Sequence, residues 1–120
     1  MRIRLLKAKI HRATVTRTDL DYVGSILIDA NLLDAAGILP YEMVLVANLA
    51  NGSRHETYAV AGRHGSGEIA VLGAAAHLVS PGDQIIIMAF ADLEPTEVPA
   101  HKPAIVLVDD RNHILSVQRP

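Results

Sequence analysis

The sequence contains no cysteine and no tryptophan. The missing thiols exclude disulfide bonds, thiolate metal sites and a cysteine nucleophile. Aromatic residues make up only 3% of the 120 residues, so Ala, Val, Ile and Leu must fill the interior. A small aliphatic domain of this kind has little room to enclose a large organic cofactor. Any chemistry must therefore be done with common polar side chains.

The chain also lacks a strong excess of either charge. Its 11 Lys and Arg residues against 13 Asp and Glu residues leave a formal net charge of -2. Nucleic-acid-binding domains usually carry a basic stripe, so we expect no nucleic-acid partner. No apolar run approaches the roughly 18–20 residues that span a bilayer, and Lys7, Lys9 and Arg12 interrupt any signal-peptide core. We therefore expect a cytoplasmic protein without membrane contact.

Short apolar or alternating segments, separated by turn residues, predict a single mainly β domain over residues 1–120. Asn51-Gly52 predicts a hairpin, and Ser80-Pro81-Gly82-Asp83 predicts a type II turn. Many short strands with little helix indicate a small barrel. The predicted strands cover residues 2–17, 25–28, 43–48, 57–61, 69–71, 84–90, 104–108 and 114–117.

Two short helical segments complete the predicted fold. Asp29 can cap a helix that carries Leu32, Leu33 and Ala36 on one face, and Gly37 can end it. The residues 73–77, Gly-Ala-Ala-Ala-His, are typical of one helical turn.

Most patterns that could carry chemistry are weak. The six histidines are scattered without metal-ligand spacing, so no metal site is predicted. The glycine-rich residues 62–67 match neither a P-loop nor a dinucleotide fingerprint, and we interpret them as a loop. Gly24-Ser25 differs from the other Gly-Ser pairs because it immediately precedes the apolar residues 26–28. A serine hydroxyl there can attack the preceding carbonyl if the backbone is forced to bend.

Several motifs together, in order and in spacing over about residues 1–117, resemble the bacterial aspartate 1-decarboxylase family. They are Lys9–Thr16, Asp19–Ser25, Ile28-Asp29, Leu33–Leu39, Asn51-Gly52, Thr57–Ala59, Gly73–His77 and Pro81–Asp83. The resemblance implies a six-stranded double-psi β-barrel with short helices, a homotetramer and dependence on a pyruvoyl group. It implies conversion of L-aspartate to β-alanine and CO2, in the supply of pantothenate and coenzyme A.

The reaction explains why such a group is needed. Loss of CO2 from an α-amino acid leaves electrons at Cα that no ordinary side chain accepts, and the sequence has no recognisable phosphate cradle for pyridoxal phosphate. By resemblance, the Ser25 hydroxyl attacks the Gly24 carbonyl to give an ester. Elimination then leaves a dehydroalanine, which hydrolyses to pyruvoyl and ammonia. The mature protein would consist of residues 1–24 (β chain) and 25–120 (α chain).

The resemblance also implies roles for individual residues. Thr57 would hydrogen-bond the Gly24 carbonyl, and Tyr58 would return a proton to Cα. Arg54 would bind a substrate carboxylate, with Lys9 as a second cation nearby. Read without the family, Arg54 is a hairpin surface residue and Thr57 an ordinary strand residue. The other substrate-binding positions that the resemblance implies are His11, Tyr22, Gly73, Ala74 and Ala75.

Two positions depart from the family pattern. Leu72 stands where the family usually has Asn, and Ala47 stands where a bulky side chain is common. A pyruvoyl enzyme for another amino acid in a specialised pathway is therefore an alternative. A non-catalytic barrel module that binds DNA or a protein is a further one. The acidic balance and the retention of Gly24-Ser25, Thr57 and Tyr58 argue against it.

Overall fold

Nine β-strands form one hydrogen-bonded sheet in the computed structural model, which describes residues 1–120. They are β1 (Ile3–Thr14), β2 (Arg17–Asp19), β3 (Ser25–Asp29), β4 (Met43–Asn48), β5 (Arg54–Gly62), β6 (Ile69–Leu72), β7 (Gln84–Leu93), β8 (Ala104–Val108) and β9 (Ile114–Gln118). Helix α1 covers Ala30–Ala36, and 3₁₀ helices cover Gly73–Leu78 and Val98–Ala100. The strand order is β2-β6-β3-β5-β4-β7-β1-β8-β9. The prediction of a mainly β fold with short helices is confirmed.

The nine strands exceed the eight predicted from the pattern and the six that the resemblance implies. The single strand predicted over residues 2–17 is wrong. The chain changes its pairing partner within that segment. Val15 N donates to Asp83 O, but Thr16 N donates to Ile69 O at the beginning of β6. β1 therefore ends at Thr14, and β2 continues separately beside β6. The double-psi barrel stays a prediction.

Strand β3 lies between two partners that are distant in sequence. It runs parallel to β5, with Ile26 opposite Ala59, and antiparallel to β6, with Ile26 opposite Val71. Ser25 is paired with Leu72 at the end of this antiparallel ladder. The segment that enters β3 is consequently held beside both β5 and the 3₁₀ helix that follows β6.

The predicted cap of α1 is confirmed and has a wider role. The Asp29 carboxylate accepts the Asn31 N–H as an N-cap, and it also accepts the N–H groups of Gly65 and Gly67. Gly37 ends the helix in the left-handed conformation, with φ 71°. One buried carboxylate therefore joins the glycine-rich loop to the beginning of α1.

The predicted turns also form. Asp83 N donates to Ser80 O, and Gly82 has a φ of 94°, as a type II turn requires. β4 and β5 form the predicted hairpin, but their pairing ends at Ala47 and Arg54. The connection is thus longer than the Asn51-Gly52 pair.

The interior is aliphatic, as the scarcity of aromatic residues predicts. Its largest fully buried side chains are Ile10, Ile26, Ile28, Leu32, Ile69, Ile85 and Ile87 with several valines. The three tyrosines and the single phenylalanine all lie outside this buried core. The tyrosines are thus free for surface or cavity positions. No helix has the length and apolar character needed to cross a membrane.

Candidate active site

A cavity of about 550 Å³ opens between the end of β6, strand β5 and the 3₁₀ helix over Gly73–Leu78. Its wall consists of Gly24, His55, Glu56, Thr57, Tyr58, Leu72, Ala74, Ala75, His77 and Leu78. Half of this wall was predicted from the sequence as site residues: Gly24, Thr57, Tyr58, Ala74 and Ala75. The fold therefore brings residues from three distant parts of the chain to one opening.

The Gly24–Ser25 peptide bond lies where the chain passes from the surface into the sheet. Gly24 is exposed, whereas Ser25 is only 5% exposed and is paired with Leu72. Gly73 packs against Gly24 on the amino-terminal side of this bond: a Cβ at Gly73 would lie 2.6 Å from Gly24 Cα and 3.0 Å from Gly24 N. Gly73 also has a φ of 80°, which other residues rarely adopt. Glycine at position 73 is thus required for the close approach to Gly24.

The two hydroxyl residues of the wall come from neighbouring positions of β5. Thr57 is paired with Val44, and Tyr58 is paired with Met43 on β4. Both side chains are half-buried. A hydroxyl in such a position can donate a hydrogen bond or a proton to a group that enters the cavity.

Six predicted site residues do not line this wall in the single chain. Ser25 and Gly73 directly follow the wall residues Gly24 and Leu72 in sequence, and the other four are Lys9, His11, Tyr22 and Arg54. Lys9 and His11 belong to β1 and are paired with Ile105 and Leu107 on β8. Arg54 is exposed at the beginning of β5, next to His55. The wall itself contains no lysine or arginine.

Tyr22 is a special case among these four residues. Its side chain is 60% exposed, whereas its carbonyl oxygen would lie 3.3 Å from a Cβ at Gly73. The backbone of Tyr22 thus contributes to the tight packing around Gly24, and its ring remains available at the surface.

His55 is a wall residue that the sequence analysis missed. It is half-buried, its Nε2 atom is buried without a hydrogen-bond partner, and burial lowers the pKa of its imidazole. The predicted strand began at Thr57, whereas β5 begins at Arg54. An earlier strand start would have placed His55 on the same face as Thr57, because alternate residues of a strand share a face.

His11 has a similar electrostatic environment. Its Nδ1 atom is buried without a partner. Its pKa is lowered first by burial and then by the positive charges of Lys9 and Arg12. The neutral imidazole is therefore favoured at both positions, His11 and His55.

The two departures from the family pattern differ in their positions. Leu72 is 2% exposed, lines the cavity and is paired with Ser25. Ala47 does not line the cavity, and it is paired with Arg54 and Ile86 within the sheet. Of the two, Leu72 changes the wall next to the candidate nucleophile, where it adds apolar surface.

The arrangement suits two kinds of chemistry. The Ser25 hydroxyl follows the carbonyl of Gly24, an exposed residue that packs closely against Gly73, and this order suits an intramolecular acyl transfer. The hydroxyls of Thr57 and Tyr58 suit hydrogen bonding and proton transfer at the cavity. No group of three or more His, Asp or Glu side chains comes together as a metal-binding cluster.

Comparisons with known proteins agree with these features. A family model described as aspartate decarboxylase matches residues 1–115. The chain is 53% identical over 117 residues to a protein of Clostridium acetobutylicum named Aspartate 1-decarboxylase, covering 98% of this chain and 92% of that protein. It is 53% identical over 113 residues to a protein of the same name from Neisseria meningitidis serogroup C, covering 94% and 89%.

Proposed function

Since this chain belongs to the aspartate decarboxylase family, we propose that it converts L-aspartate to β-alanine and CO2 after cleaving itself between Gly24 and Ser25. The product would supply pantothenate and coenzyme A synthesis in the cytoplasm. The observation that carries the proposal is the position of this one peptide bond. Gly24, which supplies the carbonyl of this bond, lies at the cavity wall with Thr57 and Tyr58, and Gly73 packs against Gly24 Cα and N.

The cleavage requires only the chain and water. Ser25 Oγ attacks the Gly24 carbonyl carbon, and the C–N bond breaks as the acyl group moves to oxygen. Loss of a proton from Ser25 Cα then expels the Gly24 carboxylate and leaves a dehydroalanine. Water converts the resulting enamine to a ketone and releases ammonia, so residue 25 becomes a pyruvoyl group. Thr57 would favour the first step by hydrogen-bonding the Gly24 carbonyl oxygen.

The surroundings of Ser25 fit such a group. Ser25 is almost fully buried at the end of β3, and the cavity begins at the adjacent Gly24. A ketone formed there would be shielded from bulk water by Leu72 and would still be reached from the cavity. When present, the pyruvoyl group supplies the electron-withdrawing carbonyl that amino-acid decarboxylation needs.

The remaining roles fall to groups of this chain. Tyr58, at the cavity wall, would hold the proton that returns to the substrate Cα. Arg54 and Lys9 would bind the carboxylate of the aspartate side chain through charge-assisted hydrogen bonds. The other substrate-binding residues proposed are His11, Tyr22, Thr57, Gly73, Ala74 and Ala75.

We propose a homotetramer in which a neighbouring subunit supplies the cations that this cavity wall lacks. Large apolar side chains remain exposed in the single chain, among them Tyr22, Val23, Leu39, Met43 and Phe90. Exposed apolar surface of this kind marks contact surfaces between proteins. Assembly would cover these side chains and bring Lys9 and His11 of one subunit to the cavity of another.

Denaturing mass spectrometry of the purified protein tests the cleavage. The expected result is two species, residues 1–24 and residues 25–120 with a pyruvoyl N-terminus, together with release of CO2 from L-aspartate. Ser25→Ala is the control and should remain one intact, inactive chain. A single intact species after prolonged warm incubation, the same as in the control, would contradict the proposal.

The position of Leu72 beside Ser25 favours one second candidate, a pyruvoyl decarboxylase for a different amino acid. Apolar bulk at this wall alters which substrates the cavity discriminates against. Competition between aspartate, glutamate and related acids decides between the two. A specificity constant for aspartate that is higher by orders of magnitude would eliminate this candidate.

A further inference from the structure

Tyr41 has an unusual backbone conformation for a bulky residue. Its φ is 70°, in the left-handed region, and only Arg12 and Asn112 share this property among the non-glycine residues. Such a conformation is rare for large side chains and costs free energy. Tyr41 is also 77% exposed, so its ring gains little from burial in the chain. The stability of the folded chain therefore does not explain a tyrosine here.

The backbone around Tyr41 is tied to the strand that carries Tyr58. Tyr41 N donates to Ala59 O at 2.7 Å, and Ala59 N donates to Glu42 O at 3.0 Å. The Glu42 carboxylate in turn accepts the N–H of Leu39 and the Nζ–H of Lys7. Residues 41 and 42 are thus held against the residue that directly follows Tyr58.

This geometry places the two tyrosine rings side by side. Their centroids are 6.2 Å apart, and their planes are inclined by 34°. The distance lies within the range in which aromatic pairs attract each other. Tyr58 lines the cavity, whereas Tyr41 lies outside it. The Tyr41 ring therefore lies against Tyr58 and limits the positions that the Tyr58 ring can take.

We propose that Tyr41 is a positioning residue, whose ring keeps the Tyr58 hydroxyl directed at the reacting carbon. This inference rests on the proposed function, in which Tyr58 returns the proton to Cα. The proton is needed only after CO2 has left, so misplacement of Tyr58 slows turnover without weakening the binding of substrate. The strain at Tyr41 persists because the backbone hydrogen bonds to Ala59 hold it.

The test removes the ring and relieves the strain in one substitution. Asn adopts the left-handed conformation more readily than Tyr, so Tyr41→Asn should leave the thermal midpoint unchanged or raise it. The kcat of the same variant should fall roughly three- to tenfold, which is the rate factor that corresponds to the interaction of one aromatic pair. Its KM for L-aspartate should be unchanged. Tyr41→Phe keeps the ring and should retain both constants. The cleavage rate at Gly24–Ser25 should be the same in all variants.

Two controls make the result decisive. Leu39→Ala removes an exposed apolar side chain from the same turn, and its kcat should match that of the parent when light scattering shows the same oligomeric state. Tyr58→Phe should lose far more kcat than Tyr41→Asn; full activity of Tyr58→Phe would refute the role of Tyr58 itself, and with it any positioning by Tyr41.

Three other results would overturn the positioning role alone. They are an unchanged kcat in Tyr41→Asn, an equal loss in Tyr41→Phe, and a joint fall of kcat and thermal midpoint. A change of oligomeric state in Tyr41→Asn, measured by light scattering, would instead assign the ring to subunit contact and would also overturn the proposal. Absence of cleavage in the parent protein is a separate outcome, since it refutes the proposed function before Tyr41 is considered.

Discussion

At the scale of single residues, His55 lowers the stability of the folded chain. Its buried Nε2 has no hydrogen-bond partner, and an unpaired buried polar atom destabilises a folded protein. Burial also lowers the pKa of the ring, so the neutral form dominates in the folded chain. The unfolded chain does not share this shift. Protonation of His55 therefore favours unfolding.

Replacement of His55 by Leu should raise the free energy of unfolding by about 1 kcal/mol at pH 7.5, because the unpaired nitrogen is removed. The advantage over the parent should grow as the pH falls through 6.5, the ordinary pKa of histidine. Below this pH the unfolded parent binds more protons than the folded one, and Leu binds none. Urea unfolding between pH 7.5 and 5.5 measures the effect in the uncleaved Ser25→Ala background, at one protein concentration.

The control for this prediction is His77→Leu, a change at an exposed position of the same cavity wall, which should alter stability by no more than about 0.5 kcal/mol. A loss of stability in His55→Leu at pH 7.5 would show that the His55 ring makes a stabilising polar contact. A difference from the parent that does not depend on pH would show that folding does not lower the pKa of His55.

At the scale of elements, the short 3₁₀ helix begins in close contact with Gly24, the residue that precedes strand β3. Gly73 begins the helix with a positive φ, and no side chain fits between it and Gly24. The helix start therefore packs against the residue that supplies the carbonyl of the bond proposed to break. Local sequence rules foresee the helical turn, but the contact arises because β6 pairs with β3.

Gly73→Ala should slow cleavage at Gly24–Ser25 and destabilise the uncleaved chain, because its Cβ would collide with Gly24. Gly82→Ala is the matched control: Gly82 also has a positive φ, but a Cβ there meets nothing within 4 Å. The control should show only the backbone cost of about 1–2 kcal/mol and normal cleavage. Stability is measured by urea unfolding in the Ser25→Ala background, and cleavage by mass spectrometry over time. Equal cleavage rates in the two variants would show that the contact does not support the reaction.

At the scale of the whole molecule, one chain holds only part of the proposed site. Gly24, Thr57 and Tyr58 share the cavity, whereas Lys9 and His11 lie on β1 outside its wall. A homotetramer that joins these two groups across subunits would complete the site, because every subunit presents both surfaces.

Mixing two inactive variants tests this arrangement. Ser25→Ala and Lys9→Ala subunits are co-expressed in equal amounts. If each site takes Ser25 from one chain and Lys9 from another, random assembly leaves both residues intact in about a quarter of the sites. The mixture should then regain about a quarter of the parent activity. Activity is measured as β-alanine formation from L-aspartate. The doubly substituted chain alone should stay inactive. Mixtures no more active than Lys9→Ala alone would show that Lys9 acts within its own chain or not at all.

The sequence by itself determined the features that depend on neighbouring residues. The cap at Asp29, the helix end at Gly37 and the turn over residues 80–83 follow from side-chain oxygens and backbone torsions within a few positions. The aliphatic interior follows from composition. The motifs around Gly24-Ser25 also sufficed to indicate the family.

Only the tertiary structure decided which distant residues share the cavity. The break between β1 and β2, the position of β3 between β5 and β6, and the exposure of His55 to the cavity depend on pairing across many residues. The ring contact of Tyr41 with Tyr58 depends on it as well. Such pairings are set by burial and hydrogen bonding summed over the whole sheet, and no local pattern encodes that sum.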